Sequence, residues 1–439
     1  MASRPPVLFV SPVAWDGLPQ RHQALAAGLA RRGFAVTYLD PLQGGGFGLT
    51  AAQAAAGRLI RLQVRVPFRA TGWPGLQAIA VRLAGDLLRR AGALTPHHLV
   101  WAGEPSLAGL FGAPPHATPT NQTGSPSSRN PALIHPATGE PSPLGPGAAR
   151  RRAAGGDAPL VEAEAAPILS APARRRDPRL VVYDRCDRHG AFPGQRAIVW
   201  QRYERWWFER AHLVVATCPA LLPTPADTSA RCLLLPNAAR PRRNGRASGA
   251  PRPAPPPWRL LSAGAHYEWT DLPWLERLAG LPQVELHLAG PGRGPLFARL
   301  RRAPAVRDHG ILPPAALDDL MATCHLGLIS FLDLPLTRAV DPLKAYEYKM
   351  HDLFVWATGP AGLREHPCVD LVSAPGADPA ADWATVRAHL ARPATAPDSA
   401  PAPAPAGSPQ AGERGRRRRV PSWDDRLDRL VQELEVLGC

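Results

Sequence analysis

Val7-Leu8-Phe9-Val10-Ser11, a helix-length run over 20–32 closed by Gly33, then Ala35-Val36-Thr37-Tyr38-Leu39: this opening decides the fold class. A short, uninterrupted apolar run bounded by polar residues is the pattern of a strand buried on both faces. Between the two runs, Leu25, Leu29 and the neighbouring alanines share one helical face, and glycine suits the left-handed position that ends a helix. Strand, helix, strand in this order predicts a parallel α/β layer.

The same alternation continues outward. Strands are expected at 62–66, 98–101, 180–183, 213–217 and 232–235, and a second series begins at Trp258-Arg259-Leu260-Leu261-Ser262. That series runs on through 284–288, 326–330, 353–357 and 369–372. Two α/β units follow, over 1–237 and 258–391, joined by the Pro/Arg/Gly linker 238–257. Residues 113–177, rich in Pro, Ala, Ser and Gly, are expected to be a disordered insertion in a surface loop. A further linker, 392–420, precedes a helix within 421–439, whose Leu427, Leu430, Val431, Leu434 and Leu437 mark one face. Two doubly wound sheets place a cleft between the carboxyl ends of their strands, where such sheets bind ligands.

Composition narrows the function. With 45% hydrophobic residues the 439-residue chain can pack two cores. It contains no run of apolar residues long enough for a membrane span, and no secretory leader opens it, so a cytoplasmic protein is expected. The six cysteines form no CxxC pair, which favours reduced thiols over metal ligation or a disulfide framework. The net charge of +15 comes largely from Arg in Pro/Ala/Gly-rich segments. No zinc-finger or RNA-binding pattern accompanies it, so a nucleic-acid partner is not expected. Peripheral contact with an anionic membrane remains compatible with this charge. The aromatic run around Trp200, Tyr203, Trp206, Trp207 and Phe208 reads either as core or as a membrane-lying face.

Only two lysines occur among the 51 basic residues, Lys344 and Lys349, and both fall in one stretch. That stretch is Asp341-Pro342-Leu343-Lys344-Ala345-Tyr346-Glu347-Tyr348. Asp before Pro reads as a helix start, with the carboxylate capping free N–H groups. Lys344 would then oppose the helix dipole in the first turn. Its presence points to an anion at the helix N-terminus, where a diphosphate meets N–H groups, dipole and ammonium together. Glu347, one turn on, could accept both ribose hydroxyls. The alternative is a Lys344–Glu347 pair on a solvated face. In the first unit, Asp187 and His189 follow a strand end and could orient or deprotonate an acceptor hydroxyl; Asp184 and Asp187 could equally cap the next helix. Arg21 and His22, in the first turn of a helix, face the same cleft. No Asp-x-Asp pair occurs, so no metal is expected to bridge a donor diphosphate. The Gly-rich 290–294 and 44–46 lack the helix context of a dinucleotide cofactor site.

Several of these stretches resemble the family-4-like bacterial glycosyltransferases of teichuronic acid and exopolysaccharide synthesis. The likeness rests on Val7 to Pro12 with Trp15-Asp16-Gly17 and Arg21-His22, and on Val181 to Asp187 with Ala191-Phe192-Pro193-Gly194. Leu235-Pro236-Asn237-Ala238, Gly264 to Asp271, Leu288-Ala289-Gly290-Pro291, Thr337 to Thr358 and Ser422-Trp423-Asp424 carry it further. The resemblance implies two Rossmann-like domains of the GT-B type, with the last helix crossing back onto the first. It implies a metal-independent, cofactor-free transferase taking a nucleotide-sugar donor and a glycan or lipid-linked acceptor, with retention. Donor binding then falls to Gly264, Arg338, Asp341, Lys344 and Glu347. Acceptor contacts fall to Trp15, Arg21 and His22, and catalytic roles to Asp187, His189 and Lys344. Three departures stand out: Ala339 where related enzymes often carry a second Glu, Lys349-Met350-His351-Asp352 where a small Ala-Ala-Gly turn is usual, and Ala265-His266-Tyr267-Glu268-Trp269 where an Arg/Lys pair is usual. A non-catalytic nucleotide-sugar-binding scaffold in a polysaccharide-assembly complex is the alternative these departures suggest.

Overall fold

The computed structural model describes residues 4–55, 58–68, 74–95, 98–111, 180–240, 253–391 and 419–439. The expected insertion at 113–177, most of the 238–257 linker and nearly all of 392–420 lie outside them.

The first domain is built from β1 (Val7–Val10), β2 (Val36–Leu39), β3 (Gln43–Gly44), β4 (Gly48–Ala55), β5 (Leu59–Val66), β6 (Leu99–Ala102), β7 (Leu180–Arg185), β8 (Leu213–Ala216) and β9 (Arg231–Leu234). Helices α1 (Arg21–Arg31), α2 (Pro74–Arg90) and α3 (Ala197–Phe208) accompany them. The sheet runs β3-β5-β2-β1-β6-β7-β8-β9, parallel throughout, with β4 added antiparallel to β5. β1 lies between β2 and β6 and is fully buried, as its unbroken apolar run requires. β4 was not expected: its run of alanines has poor strand propensity, and it lies at an edge with most side chains exposed. On α3 the run resolves as core, with Tyr203, Trp207 and Phe208 buried and Trp200 and Trp206 packed beside them.

The second domain contains β10 (Trp258–Ala263), β11 (Val284–Ala289), β12 (Val306–Asp308), β13 (Leu326–Ser330), β14 (Phe354–Thr358) and β15 (Leu371–Ser373). Helices α4 (Leu272–Ala279), α5 (Pro295–Leu300), α6 (Pro314–Thr323), α7 (Leu343–Met350) and α8 (Pro379–Leu390) connect them. The order β12-β11-β10-β13-β14-β15 is a doubly wound parallel sheet whose winding reverses between β10 and β13. The loops after those two strands therefore splay apart and leave a crevice. After β10 and β11 the turns nearly touch: a side chain on Gly290 (φ 135°) would collide with the carbonyl of Gly264 (φ 137°).

The terminal helix α9 (Trp423–Val436) returns to the first domain. Ser422 and Asp425 close its start as a reciprocal capping box. Leu427, Leu430, Val431 and Leu434 are buried in the core that contains Val7, Leu25 and Leu29. A methyl on Gly28 of α1 would overlap Leu427, so the two helices meet at the glycine. Arg32 pairs with Asp424 and Asp428 at the rim. Ala239 N–H donates to the Pro421 carbonyl at 3.2 Å, so the two chain crossings between domains run side by side. The residues 238–240 assigned to the linker are thus fixed: Ala238 is buried in the first core and Ala239 in the second.

Among the described residues no helix is long and apolar enough to cross a membrane. No disulfide joins any of the six cysteines; Cys324 and Cys368 are buried and Cys232 is exposed.

Candidate functional site

A cavity of about 270 Å³ opens between the domains. Its first-domain wall comprises Gln20, Arg21 and His22 at the start of α1, Cys186 and Asp187 after β7, and Asn237. Its second-domain wall comprises Gly264, Ala265, His266 and Trp269 after β10, Ser330 and Phe331 after β13, and the chain from Val340 to Lys344 entering α7. The strand ends beside the reversal of winding supply this second wall, as the topology requires.

Arg21 is buried, and each of its three guanidinium nitrogens donates within the protein. Nε reaches both oxygens of Asp184 at 3.1 Å, Nη2 donates to Asp184 Oδ1 at 3.0 Å, and Nη1 donates to the Leu235 carbonyl at 2.8 Å. Trp101 Nε1 completes the Asp184 shell at 3.2 Å. A buried pair of this kind needs every lone pair met, and here they are met. His22 lies beside it, 3% exposed, with Nε2 3.8 Å from the Cys186 thiol and Nδ1 without a hydrogen-bond partner. Burial lowers its pKa to about 4, so the ring is neutral near pH 7. Burial pushes the Cys186 thiol up as well. Half-buried Asp187 is raised to about 7 by burial, with Asp184 adding to the shift against a hydrogen bond from Cys186.

On the second wall His266 accepts or donates at Ser262 Oγ, 3.0 Å away, stacks on Phe297 at 5.4 Å, and is lowered to about 4 by burial. α7 begins at Leu343 with Pro342 at its N-cap and no side-chain cap. Here the expectation for Asp341 fails. Its carboxylate does not cap the helix; it accepts from Asn237 N–H at 2.5 Å, Tyr346 Oη at 3.0 Å and His366 Nε2 at 2.9 Å. Those three donors outcompete the helix end and leave its leading N–H groups, at Leu343 and Lys344, beside the cavity.

Lys344 Nζ sits 2.6 Å from Glu347 Oε2, while Arg240 Nη2 holds Glu347 Oε1 at 2.7 Å. The pair forms, but not on a solvated face: Glu347 is buried beneath Lys344 and outside the cavity lining. Burial works to raise its pKa, and Lys344 and Arg240 outweigh it and lower it. Both oxygens of Glu347 are held in ion pairs and the residue lies off the cavity lining, so this arrangement does not present it for the bidentate ribose contact expected of it. Lys349 pairs with Asp370 instead.

Three further expected contacts are elsewhere. Arg338 is exposed and engages Asp333 through two hydrogen bonds, of 2.7 and 3.0 Å, away from the cavity. His189 is stacked on Trp200 at 5.1 Å, inside the aromatic packing and off the lining. Trp15 packs edge-on against Tyr38 at 5.0 Å and does not line the cavity either. Arg21, His22, Asp187, Gly264, Asp341 and Lys344 do come together there. Sequence reasoning missed His266, Trp269, Cys186 and Asn237 as lining. Each stood inside a stretch quoted for its pattern, but only the fold shows which of them face the gap.

Solved structures with the same two-sheet arrangement include sucrose- and trehalose-phosphate synthases and another glycosyltransferase. A sucrose-phosphate synthase from Thermosynechococcus elongatus superimposes with a TM-score of 0.56 at 13% identity, over 88% of this chain and 90% of that one. AviGT4, a glycosyltransferase involved in avilamycin A biosynthesis, gives 0.51 at 15% identity over 99% of both chains. The chain has the GT-B fold. A trehalose-6-phosphate structure from E. coli bound with UDP-2-fluoro glucose shares it as well, at 0.52 and 10% identity, over 98% of this chain and 95% of that one. No protein-family model matches the chain, and no curated relative does.

Proposed function

We propose that this protein transfers a glycosyl group from a nucleotide-sugar donor to an acceptor hydroxyl. The observation that carries the reading is the uncapped start of α7, with Lys344 in its first turn, opening onto a cavity between two GT-B domains. Leading N–H groups, helix dipole and ammonium converge there on the place of a donor diphosphate. Transfer breaks the bond between the anomeric carbon and the diphosphate oxygen and forms one to the acceptor oxygen. The diphosphate departs with its charge neutralised at α7, and the acceptor hydroxyl's proton passes to Asp187, whose carboxyl ionises at about 7. We assign no metal to this step, so a chelator is expected to leave turnover unchanged. The finer reading adds retention, an acceptor in cell-surface polysaccharide synthesis of the family-4-like kind, and peripheral contact of the basic chain with an anionic membrane.

Titration of nucleoside diphosphates into the parent and Lys344→Met tests the donor site. Losing a charge-assisted contact worth about 1.5–3 kcal/mol weakens diphosphate binding roughly tenfold to a hundredfold and leaves the bare nucleoside unaffected. Equal diphosphate affinity in the two proteins would remove α7 from the donor site. A scaffold without turnover would pass the titration but release no nucleoside diphosphate from any nucleotide sugar.

A further inference from the structure

The two walls differ in the charge they leave free. On the first-domain wall, Nε, Nη1 and Nη2 of Arg21 all donate within the protein. His22 is buried and uncharged near neutral pH. Among the residues that line it, then, this wall holds no cation without an internal partner; Arg188, next to Asp187, is off the lining and donates to the Ala220 carbonyl. It offers Asp187 instead, a carboxyl that among the described residues pairs with no cation and takes a hydrogen bond from the neighbouring Cys186 thiol. A phosphate placed against this wall would lose water and meet a like charge with nothing to offset either.

Across the gap stands an aromatic surface. Trp269 lines the cavity from the second domain, and Phe192, in the loop that follows Asp187, meets it edge to face at 5.7 Å. Tyr267 adds a second edge contact to Trp269 at 5.3 Å. The C–H bonds on one face of a sugar ring carry partial positive charge, which the negative face of an indole attracts. A hydroxyl on the ring edge is the natural donor to an unpaired carboxylate.

We propose that the acceptor bound here is an uncharged sugar ring, such as the terminal residue of a glycan, with its face on Trp269 and a hydroxyl on Asp187, and that sugar phosphates are refused. This rests on the glycosyl-transfer reading and names the acceptor class for it. It also sets the chain apart from the sucrose- and trehalose-phosphate enzymes of the same fold, whose names carry a sugar phosphate.

The test is ligand-observed NMR on the full chain, with and without saturating nucleoside diphosphate. Probes are the methyl glycosides of glucose, galactose and mannose beside the three hexose 6-phosphates. At least one neutral glycoside is expected to bind tenfold or more tighter than its 6-phosphate counterpart. Trp269→Ala weakens that glycoside about tenfold while Trp269→Phe keeps most of the affinity, which separates stacking from a folding defect. Asp187→Asn narrows the preference over the phosphate. Tighter binding of any 6-phosphate, no detectable neutral glycoside, or full affinity in Trp269→Ala overturns the proposal. Nucleoside-diphosphate binding at α7 is read separately, so failure here leaves the donor reading standing and failure there is seen on its own.

Discussion

The start of α1 and the start of α7 face each other across the cavity and treat their charges in opposite ways. At α1, Arg21 lines the gap but is closed in by Asp184, the Leu235 carbonyl and Asn237, its charge met inside the wall. At α7, Asp341 is drawn off to Asn237, Tyr346 and His366 and the helix is left uncapped, while Lys344, paired with Glu347 at 2.6 Å, stays at the rim with 26% of its side chain exposed. The first arrangement holds a wall together; the second leaves an electropositive end open. A cation near a cleft is evidence for a ligand only once its partners are counted.

Breaking the first arrangement has the largest expected effect. Arg21→Met strands the Asp184 carboxylate in the core, and a cost of about 3–5 kcal/mol in unfolding free energy follows. Denaturant unfolding measures it, and a change within about 0.5 kcal/mol would show that the pair is not structural. A smaller effect sharpens the picture at Asp187. Its carboxyl titrates at 3.8 when free and about 7 in the fold, so between those values the folded state holds a proton that the unfolded chain releases. Stability from this group is therefore lost as pH rises from about 4 to 7. Asp187→Asn abolishes that loss: relative to the parent it gains of order 3 kcal/mol between pH 4.5 and pH 8. His22 and His266 are present in both proteins and cancel, and burial keeps the Cys186 thiol raised in both. A difference that is flat with pH would sink the assignment. Smallest of all is Arg338→Ala, which removes an exposed pair with Asp333 and is expected to leave both the melting temperature and nucleoside-diphosphate affinity where they were. Weakened binding would bring Arg338 back to the donor site.

The fold was legible because its signals are local. Strands buried on both faces write themselves as apolar runs, which is why β1, β10 and β13 lie where the pattern put them, within a residue. The leucines of α9 repeat at helical spacing and are the ones buried. β4 and β12 were missed for the same reason inverted: one is alanine at an exposed edge, the other three residues long, and neither carries periodicity. Half of the site escaped because it is made by partners remote in sequence. Nothing near Arg21 announces Asp184, and nothing near Asp341 announces Asn237 or His366, yet those partners decide which charge is free. Arg338 and His189 were misplaced by the same blindness, since an Arg with an Asp five residues away and a His beside a Trp look open in a string of letters.

The return of α9 ties the fate of the first domain to the last stretch of chain. Leu427, Leu430 and Leu434 share a core with β1, so during synthesis β1 leaves the ribosome long before the helix that completes its packing. Until then Gly28 and Leu29 present an open apolar groove that the whole second domain must be made before anything in the chain can cover. Contacts of such separation slow folding, and a ribosome stalled late on the message would release a first domain already shaped but still lacking one wall.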